Sequence, residues 1–248
     1  MNNVLKIFPP ITLAEMSEVK LMNRIDTKFV TTIPRLTELL QLLGEDYFAQ
    51  EVDGERNLLY DTTYFDTVDF DMYKAHQNGH ANRQKLRFRI YESTNLQFME
   101  VKTKNNHGRT KKKRIAVDDM EINEATKANF LHQHLHYEIG TLRPALSNQF
   151  TRVTLVNKAK TERLTIDTNL RFQNLVSGRK LDMGNLVIIE LKREGLCFSP
   201  VLEKLRLLHI HPHGFSKYCM GSALTNESLS VNRFKRKIIE INKIRKAV

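Results

Sequence analysis

The chain has 248 residues, 41% of them apolar and 27% charged, and Lys plus Arg exceed Asp plus Glu by 39 to 28, a formal net charge of +11. That length carries one large β-rich domain or two small ones, and the apolar share supports a packed core, which excludes a disordered chain. The positive balance points to acidic partners, namely nucleic acid, an anionic membrane surface or polyphosphates.

Cys197 and Cys219 are too few for a disulfide framework, so a reducing, cytoplasmic setting is expected, with the inner membrane face as a secondary location. No apolar run approaches the ~18 residues of a membrane span. The first ten residues lack the apolar region and cleavage site of a signal peptide.

In chain order, residues 2–15 read as an irregular or short helical lead-in. Residues 24–30 alternate, with Arg24, Asp26 and Lys28 on one face and Ile25 and Phe29 on the other, which predicts a strand. Pro34 opens a helix whose Leu36, Leu39, Leu40 and Leu43 have helical spacing, and Gly44 ends it. Residues 57–66, rich in aromatic and β-branched side chains, predict a strand. A short helix over 69–77 then ends at Asn78-Gly79.

Residues 83–91 are the most informative stretch. Arg83, Lys85, Arg87, Arg89 and Tyr91 share one face of a predicted strand, and Leu86, Phe88 and Ile90 share the other. A turn near 93–95 leads to a strand over 96–104, and the turn signal of residues 105–108 leads to another over 111–117. These make an antiparallel meander. Residues 123–137 are helical in pattern. Strands follow over 149–157, 162–172 and 185–194, then a helix over 200–209, the segment 215–222 containing Ser216-Lys217-Tyr218, and a basic helix over 231–246. No Pro- or Ser-rich linker interrupts the chain. A single domain over 1–248 is expected, with its core at about 22–221 and a basic C-terminal helix within 231–248.

The polarity of these strands is collective. Phe98, Glu100, Lys102 and Lys104 share a face opposite Met99 and Val101, while Lys112 and Arg114 oppose Ile115 and Val117. Arg163, Thr165 and Asp167 oppose Leu164 and Ile166, Glu190 and Lys192 oppose Ile189 and Leu191, and Arg152 joins from the strand between. Helices inserted among antiparallel strands suggest an α+β, barrel-like architecture. If the charged face points inward, as one face of every barrel strand must, the result is a tunnel lined with Lys and Arg.

Each piece also has a plainer reading. A single charged strand face usually meets water, although a solvated face mixes Glu with Lys, and here the bias is one-sided. The run Lys111 to Arg114 suits a solvated loop or a nucleic-acid patch. Glu100 and Glu190 suit ion pairs with Lys102 and Lys192. The runs His132/His134/His136 and His209/His211/His213, at i, i+2 spacing, are read as surface or loop residues rather than metal ligands. No nucleic-acid partner is expected, because Phe29 and Phe88 sit opposite the cations, whereas base recognition needs aromatic rings on the binding face.

The motifs Arg24-x-Asp26-x-Lys28, Tyr64-Phe65-Asp66, Arg83-x-Lys85-x-Arg87-x-Arg89-x-Tyr91, Glu100-x-Lys102, Lys112-x-Arg114, Arg152, Arg163-x-Thr165-x-Asp167, Glu190-x-Lys192 and Ser216-Lys217-Tyr218 follow an order that resembles the VTC domain. This is the polyphosphate polymerase domain of the vacuolar transporter chaperone complex. It belongs to the triphosphate tunnel metalloenzymes, with RNA triphosphatases, thiamine triphosphatase and CYTH-type adenylate cyclases. The wider superfamily opens with ExExK; Arg24 in place of the first acid is VTC-like and argues against the cyclase and triphosphatase branches.

The resemblance implies an eight-stranded antiparallel β-barrel tunnel with helices packed outside. It implies a metal-dependent polyphosphate polymerase that moves the γ-phosphate of ATP onto a growing inorganic chain. Lys28, Arg87, Arg89 and Arg152 are then the expected catalytic cations. Lys85, Lys102, Lys112, Arg114, Arg163, Lys192 and Lys217 are expected to bind phosphate. Glu190, with Glu100 as a second candidate, is expected to hold Mn²⁺ or Mg²⁺. The partners implied are ATP and polyphosphate. A membrane-associated partner is left open, since the regulatory domain and membrane helices of the eukaryotic assembly are missing. The alternatives are a tripolyphosphatase or nucleoside triphosphatase of the same fold, or a non-catalytic polyphosphate-binding module. The basic tail is expected to pack at a tunnel mouth, with contact to anionic lipid as the lesser reading.

Overall fold

The structure, a computed structural model, describes residues 2–17, 19, 24–44, 46–106 and 110–247. The chain opens with α1 (Asn2–Leu5), β1 (Pro10–Ile11) and α2 (Leu13–Ser17). β2 (Arg24–Thr32) runs into α3 (Ile33–Leu43), where Pro34 occupies the first turn and its missing N–H leaves no bond unmade. β3 (Tyr47–Gln50) is a short strand that the periodicity did not reveal. β4 (Leu58–Thr67) and α4 (Asp71–Gln77) follow as predicted. β5 (Arg83–Tyr91), β6 (Leu96–Lys104) and β7 (Thr110–Ala116) form the expected meander; residues 107 and 108 of the turn assigned between the last two lie outside the described residues.

α5 (Ala125–His134) is shorter than the 123–137 expected, because the Glu124 carboxylate accepts from the Thr126 and Lys127 N–H groups and fixes its start. β8 (Leu142–Asn157) begins well before Gln149. Pro144 argues against a strand there, but a register shift between Tyr64 and Phe65 of β4 accommodates it. β9 (Glu162–Asn174), the short β10 (Lys180–Asp182), β11 (Leu186–Glu194), α6 (Pro200–Leu207), α7 (Lys217–Thr225) and α8 (Lys235–Lys246) complete the chain.

One antiparallel sheet dominates, in the order β2-β11-β9-β8-β4-β5-β6-β7. It curls into a half-barrel with the helices outside. Among the described residues no ladder joins β7 to β2. The free edge of β2 is met instead by the segment after α6, where His213 donates its N–H to the Lys28 carbonyl at 2.7 Å.

The apolar face of each strand points outward, under the helices. Phe29, Leu155, Leu164, Ile166, Ile189 and Leu191 pack against Leu36, Leu40 and Leu205 of α3 and α6. On the other wall, Leu86, Phe88, Met99 and Val101 share a core with Phe130 and Leu131 of α5. Full burial of such side chains contributes roughly 1.5–3 kcal/mol each. A one-residue register slip would turn this set inward and the cations into the core, so the register is firmly fixed.

The helices α7 and α8 add to the core. Tyr218, Cys219 and Met220 join the core with Leu146, Leu170 and Phe172, and Ile241 of α8 is buried with them. α8 packs on β2 and β11. Among the described residues no helix is long and apolar enough to cross a membrane.

Candidate functional site: a cation-lined tunnel

The concave face of the half-barrel encloses a cavity of about 740 Å³. Lys28, Lys85, Arg87, Arg89, Lys102, Lys112, Arg152, Arg163, Lys192, Lys217 and Glu190 all line it. The register explains why. Lys85 faces Lys102 and Arg87 faces Glu100 across β5 and β6. Lys102 faces Lys112, Lys28 faces Glu190, Lys192 faces Arg163, and Arg152 faces Asp167. Two predicted residues lie apart from this lining. Arg114 is exposed and stacks over Phe98, 4.5 Å from the ring centroid. Glu100 is completely buried in the wall.

The anions of the site hold the cations in place. Glu100 accepts from Arg87 Nε at 2.6 Å and from Lys112 Nζ at 3.1 Å. Its partners are thus Arg87 and Lys112 rather than Lys102, its neighbour along the same strand. Asp167 accepts from Arg152 Nε at 2.6 Å and Nη2 at 2.8 Å, and from Lys217 Nζ. Glu190 pairs with Lys192, as its spacing suggested, and lies 3.8 Å from Lys28 Nζ. Burial alone would raise each of these carboxyls. For Glu100 the nearby Arg87, Arg89 and Lys112 prevail, for Asp167 Arg152 and Lys217, and for Glu190 Lys28 and Lys192, so each is held well below the usual carboxylate range.

The cations are under mutual strain. Lys102 is pulled well below its ordinary pKa, first by the Arg87 charge and then by burial. Burial lowers Lys85 and Lys192. It pulls Lys217 down to about 7, against the favourable charge of Asp167. Cations whose charged form is disfavoured by their neighbours gain most when a polyanion enters.

Aromatic side chains share this inner face. The Arg89 guanidinium lies 5.7 Å from the Tyr60 ring centroid and the Arg152 guanidinium 5.3 Å from that of Phe150. Lys217 Nζ sits 3.5 Å from the Phe150 centroid. Arg89 also donates Nε–H to Thr62 Oγ1 at 3.2 Å, Lys85 donates to Ser216 Oγ at 2.8 Å and Lys28 to the Phe215 carbonyl at 3.0 Å. Phe29 and Phe88 do face away from the cations, as expected, but Tyr60, Tyr64, Tyr91, Phe98 and Phe150 do not. Period-two alternation through residues 57–66 places Tyr60, Thr62 and Tyr64 on one face, so the signal was there in the sequence. Asp66 serves the fold rather than the cavity. It accepts from Tyr218 Oη and from the N–H groups of Thr67, Met72 and Tyr73, which ties β4, α4 and α7 together.

Among the described residues no group of three or more His, Cys, Asp or Glu side chains converges as a metal cage. Mg²⁺ and Mn²⁺ do not require one, since such ions are commonly held by one or two carboxylates, waters and the substrate's own phosphates. Glu190, facing the cavity with its side chain 24% exposed, has the chemistry and access for that arrangement. The Glu100 side chain is 0% exposed and fully engaged by Arg87 and Lys112.

A curled antiparallel sheet whose concave face is a cation-lined cavity is the fold called a triphosphate tunnel. The chain belongs to the VTC domain family, whose model matches residues 23–226. Among solved structures, the fold matches that of a candidate adenylate cyclase from Bacillus halodurans with a TM-score of 0.51 and 17% identity, covering 86% of this chain and 99% of that one. A second candidate adenylyl cyclase, from Hippeastrum and described as having a dominant triphosphatase activity, aligns with a TM-score of 0.47 and 14% identity over 83% of this chain and 98% of that one. No curated protein matches the sequence.

Proposed function

We propose that the protein is a polyphosphate polymerase that transfers the γ-phosphoryl group of ATP to the end of an inorganic polyphosphate chain held in the tunnel. The observation that carries this reading is the cations drawn from β2, β5, β6, β7, β8, β9, β11 and α7 around one cavity. At about 740 Å³ the cavity is larger than a single phosphate needs, and membership of the VTC domain family supports the choice.

Phosphoryl transfer depends chiefly on positioning and charge neutralisation. Lys28, Arg87, Arg89 and Arg152 would surround the transferred group, with Arg87 fixed by Glu100 and Arg152 by Asp167. Lys85, Lys102, Lys112, Arg163, Lys192 and Lys217 would carry the chain. The attacking terminal phosphate is already ionised, so no side-chain base is required. Glu190 would hold Mn²⁺ or Mg²⁺, which would supply positive charge to the phosphates.

The test uses purified protein, ATP, Mn²⁺ and a short polyphosphate primer, with products separated on a gel. Chains that lengthen, and fail to lengthen in Arg87→Ala and Glu190→Ala, support the reading. Orthophosphate release without chains would replace it with a hydrolase. Tight polyphosphate binding without turnover under any metal would replace it with a binding module.

A further inference from the structure

Aromatic rings gather at one end of the β5–β6 wall, while Tyr64, Phe215 and Tyr218 line the cavity elsewhere. Tyr91 closes the cation row of β5, and Phe98 lies across from Arg89 near the start of the facing row on β6. The rings of Tyr60 and Tyr91 are 5.0 Å apart, and Tyr91 meets Phe98 edge-on at 5.8 Å and 83°. Phe98 and Tyr91 are half-buried, and the Arg114 guanidinium covering Phe98 is exposed. The opposite end of the same wall presents Arg83 and Lys85, with Lys104 and Lys102 across from them and no aromatic ring in the pairing. The wall is therefore graded from cationic to aromatic. At about 3.3 Å per residue, Tyr91 lies roughly 7 Å beyond Arg89 and roughly 13 Å beyond Arg87.

An inorganic phosphate chain is charged along its whole length and gains nothing from π-surfaces. A graded wall suits a ligand that is polyanionic at one end and a flat heterocycle at the other. We propose that Tyr91, Phe98 and Arg114 form the stacking site for the base of a nucleoside triphosphate whose phosphates lie against Arg87 and Arg89. A guanidinium stacked on a phenyl ring offers its second face to a base. Stacking of this kind tolerates any base, so ATP and GTP are expected to bind alike. The inference rests on the proposed use of a nucleoside triphosphate as phosphoryl donor.

Calorimetric titration with ATP, GTP and inorganic tripolyphosphate, each with Mg²⁺, tests it on wild type, Phe98→Leu and Phe98→Tyr. Leucine preserves an apolar contact at the strand end, and tyrosine restores the ring. Phe98→Leu is expected to weaken ATP and GTP by roughly five- to a hundred-fold, as loss of one stacked base predicts, and to leave tripolyphosphate within about twofold, while Phe98→Tyr binds all three as wild type does. Equal weakening of nucleotides and tripolyphosphate would make Phe98 a wall residue and overturn the inference while leaving the polymerase reading intact. Unchanged nucleotide binding in Phe98→Leu would overturn it likewise. Wild-type protein that binds tripolyphosphate but no nucleotide would overturn both.

Discussion

Asp167 stands between Arg152 and Lys217 and accepts from both, at 2.6 and 2.8 Å from the two guanidinium nitrogens of Arg152 and by a further bond from Lys217. One buried carboxylate, 4% exposed, thereby fixes two cations of the cavity that come from different elements, β8 and α7. Asp167→Asn removes the charge and leaves both cations uncompensated. It is expected to destabilise the fold by about 2–4 kcal/mol, less than a fully enclosed pair because the cavity admits water. Urea unfolding measures the loss, and added tripolyphosphate, which replaces the missing negative charge, should recover part of it.

The pH dependence follows from Lys217. Its value of about 7, against an ordinary 10.5, arises from burial. In the free protein the unfolded state holds a proton between these values that the native state has released, so this group makes stability rise with pH across that window. A bound polyphosphate favours the ammonium form and raises the pKa. Binding at pH ~8 is therefore expected to take up protons, and affinity to fall as pH climbs above ~7. Titration calorimetry in buffers of different ionisation enthalpy reads the uptake, and Lys217→Met should reduce it. Lys85, Lys102 and Lys192, which are also lowered, supply the remainder.

Glu100 is expected to act through Arg87. Glu100→Gln keeps the shape but loses the charge that holds Arg87 Nε and Lys112 Nζ. A drop of about a hundred-fold in kcat with a smaller change in KM is expected, on the scale of removing one preorganised electrostatic contact. Arg87→Lys should lose a comparable amount, because an ammonium cannot reproduce the guanidinium fork. Equal loss of kcat and melting temperature in Glu100→Gln would instead assign it a purely structural role.

Gly221 sits in α7, where an added Cβ would lie 2.6 Å from Leu146 Cδ2 and 2.6 Å from Phe172 Cδ1. Both side chains are fully buried, so neither can swing clear. Gly221→Ala is expected to destabilise by about 1–3 kcal/mol despite alanine's better helix propensity. It should also displace Ser216 and Lys217 and weaken tripolyphosphate binding. A melting curve and a binding titration on the same variant separate the two effects.

Much of the site was legible in the sequence because β-strand alternation maps residue number directly onto face. Arg83 through Tyr91 and Glu190-x-Lys192 needed only a period of two to be placed correctly. What escaped was set by non-local partners. The pairing of Glu100 with Arg87 depends on the β5–β6 register, and the start of β8 at Leu142 depends on a bulge against β4 that accepts Pro144. β3 and β10 are short strands recruited by longer neighbours, with too few residues to announce themselves.

Part of the aromatic inner face was legible, since alternation puts Tyr91 and Phe98 on the cation side, whereas Tyr60, Tyr64 and Phe150 had no face assigned. Phe29 and Phe88 do point away from the cations. Tyr60, Tyr91, Phe98 and Phe150, by contrast, lie among Arg89, Arg152, Arg114 and Lys217.

By itself the sequence determined most of the strands and their two chemically opposite faces, because alternation with a period of two assigns each residue a side. Only the tertiary structure decided which cations share one cavity and which carboxylate holds each. It also decided that the β2 edge meets residues 212–213 rather than β7. Those outcomes depend on sheet curvature and on contacts between residues far apart in the chain, which local alternation does not encode.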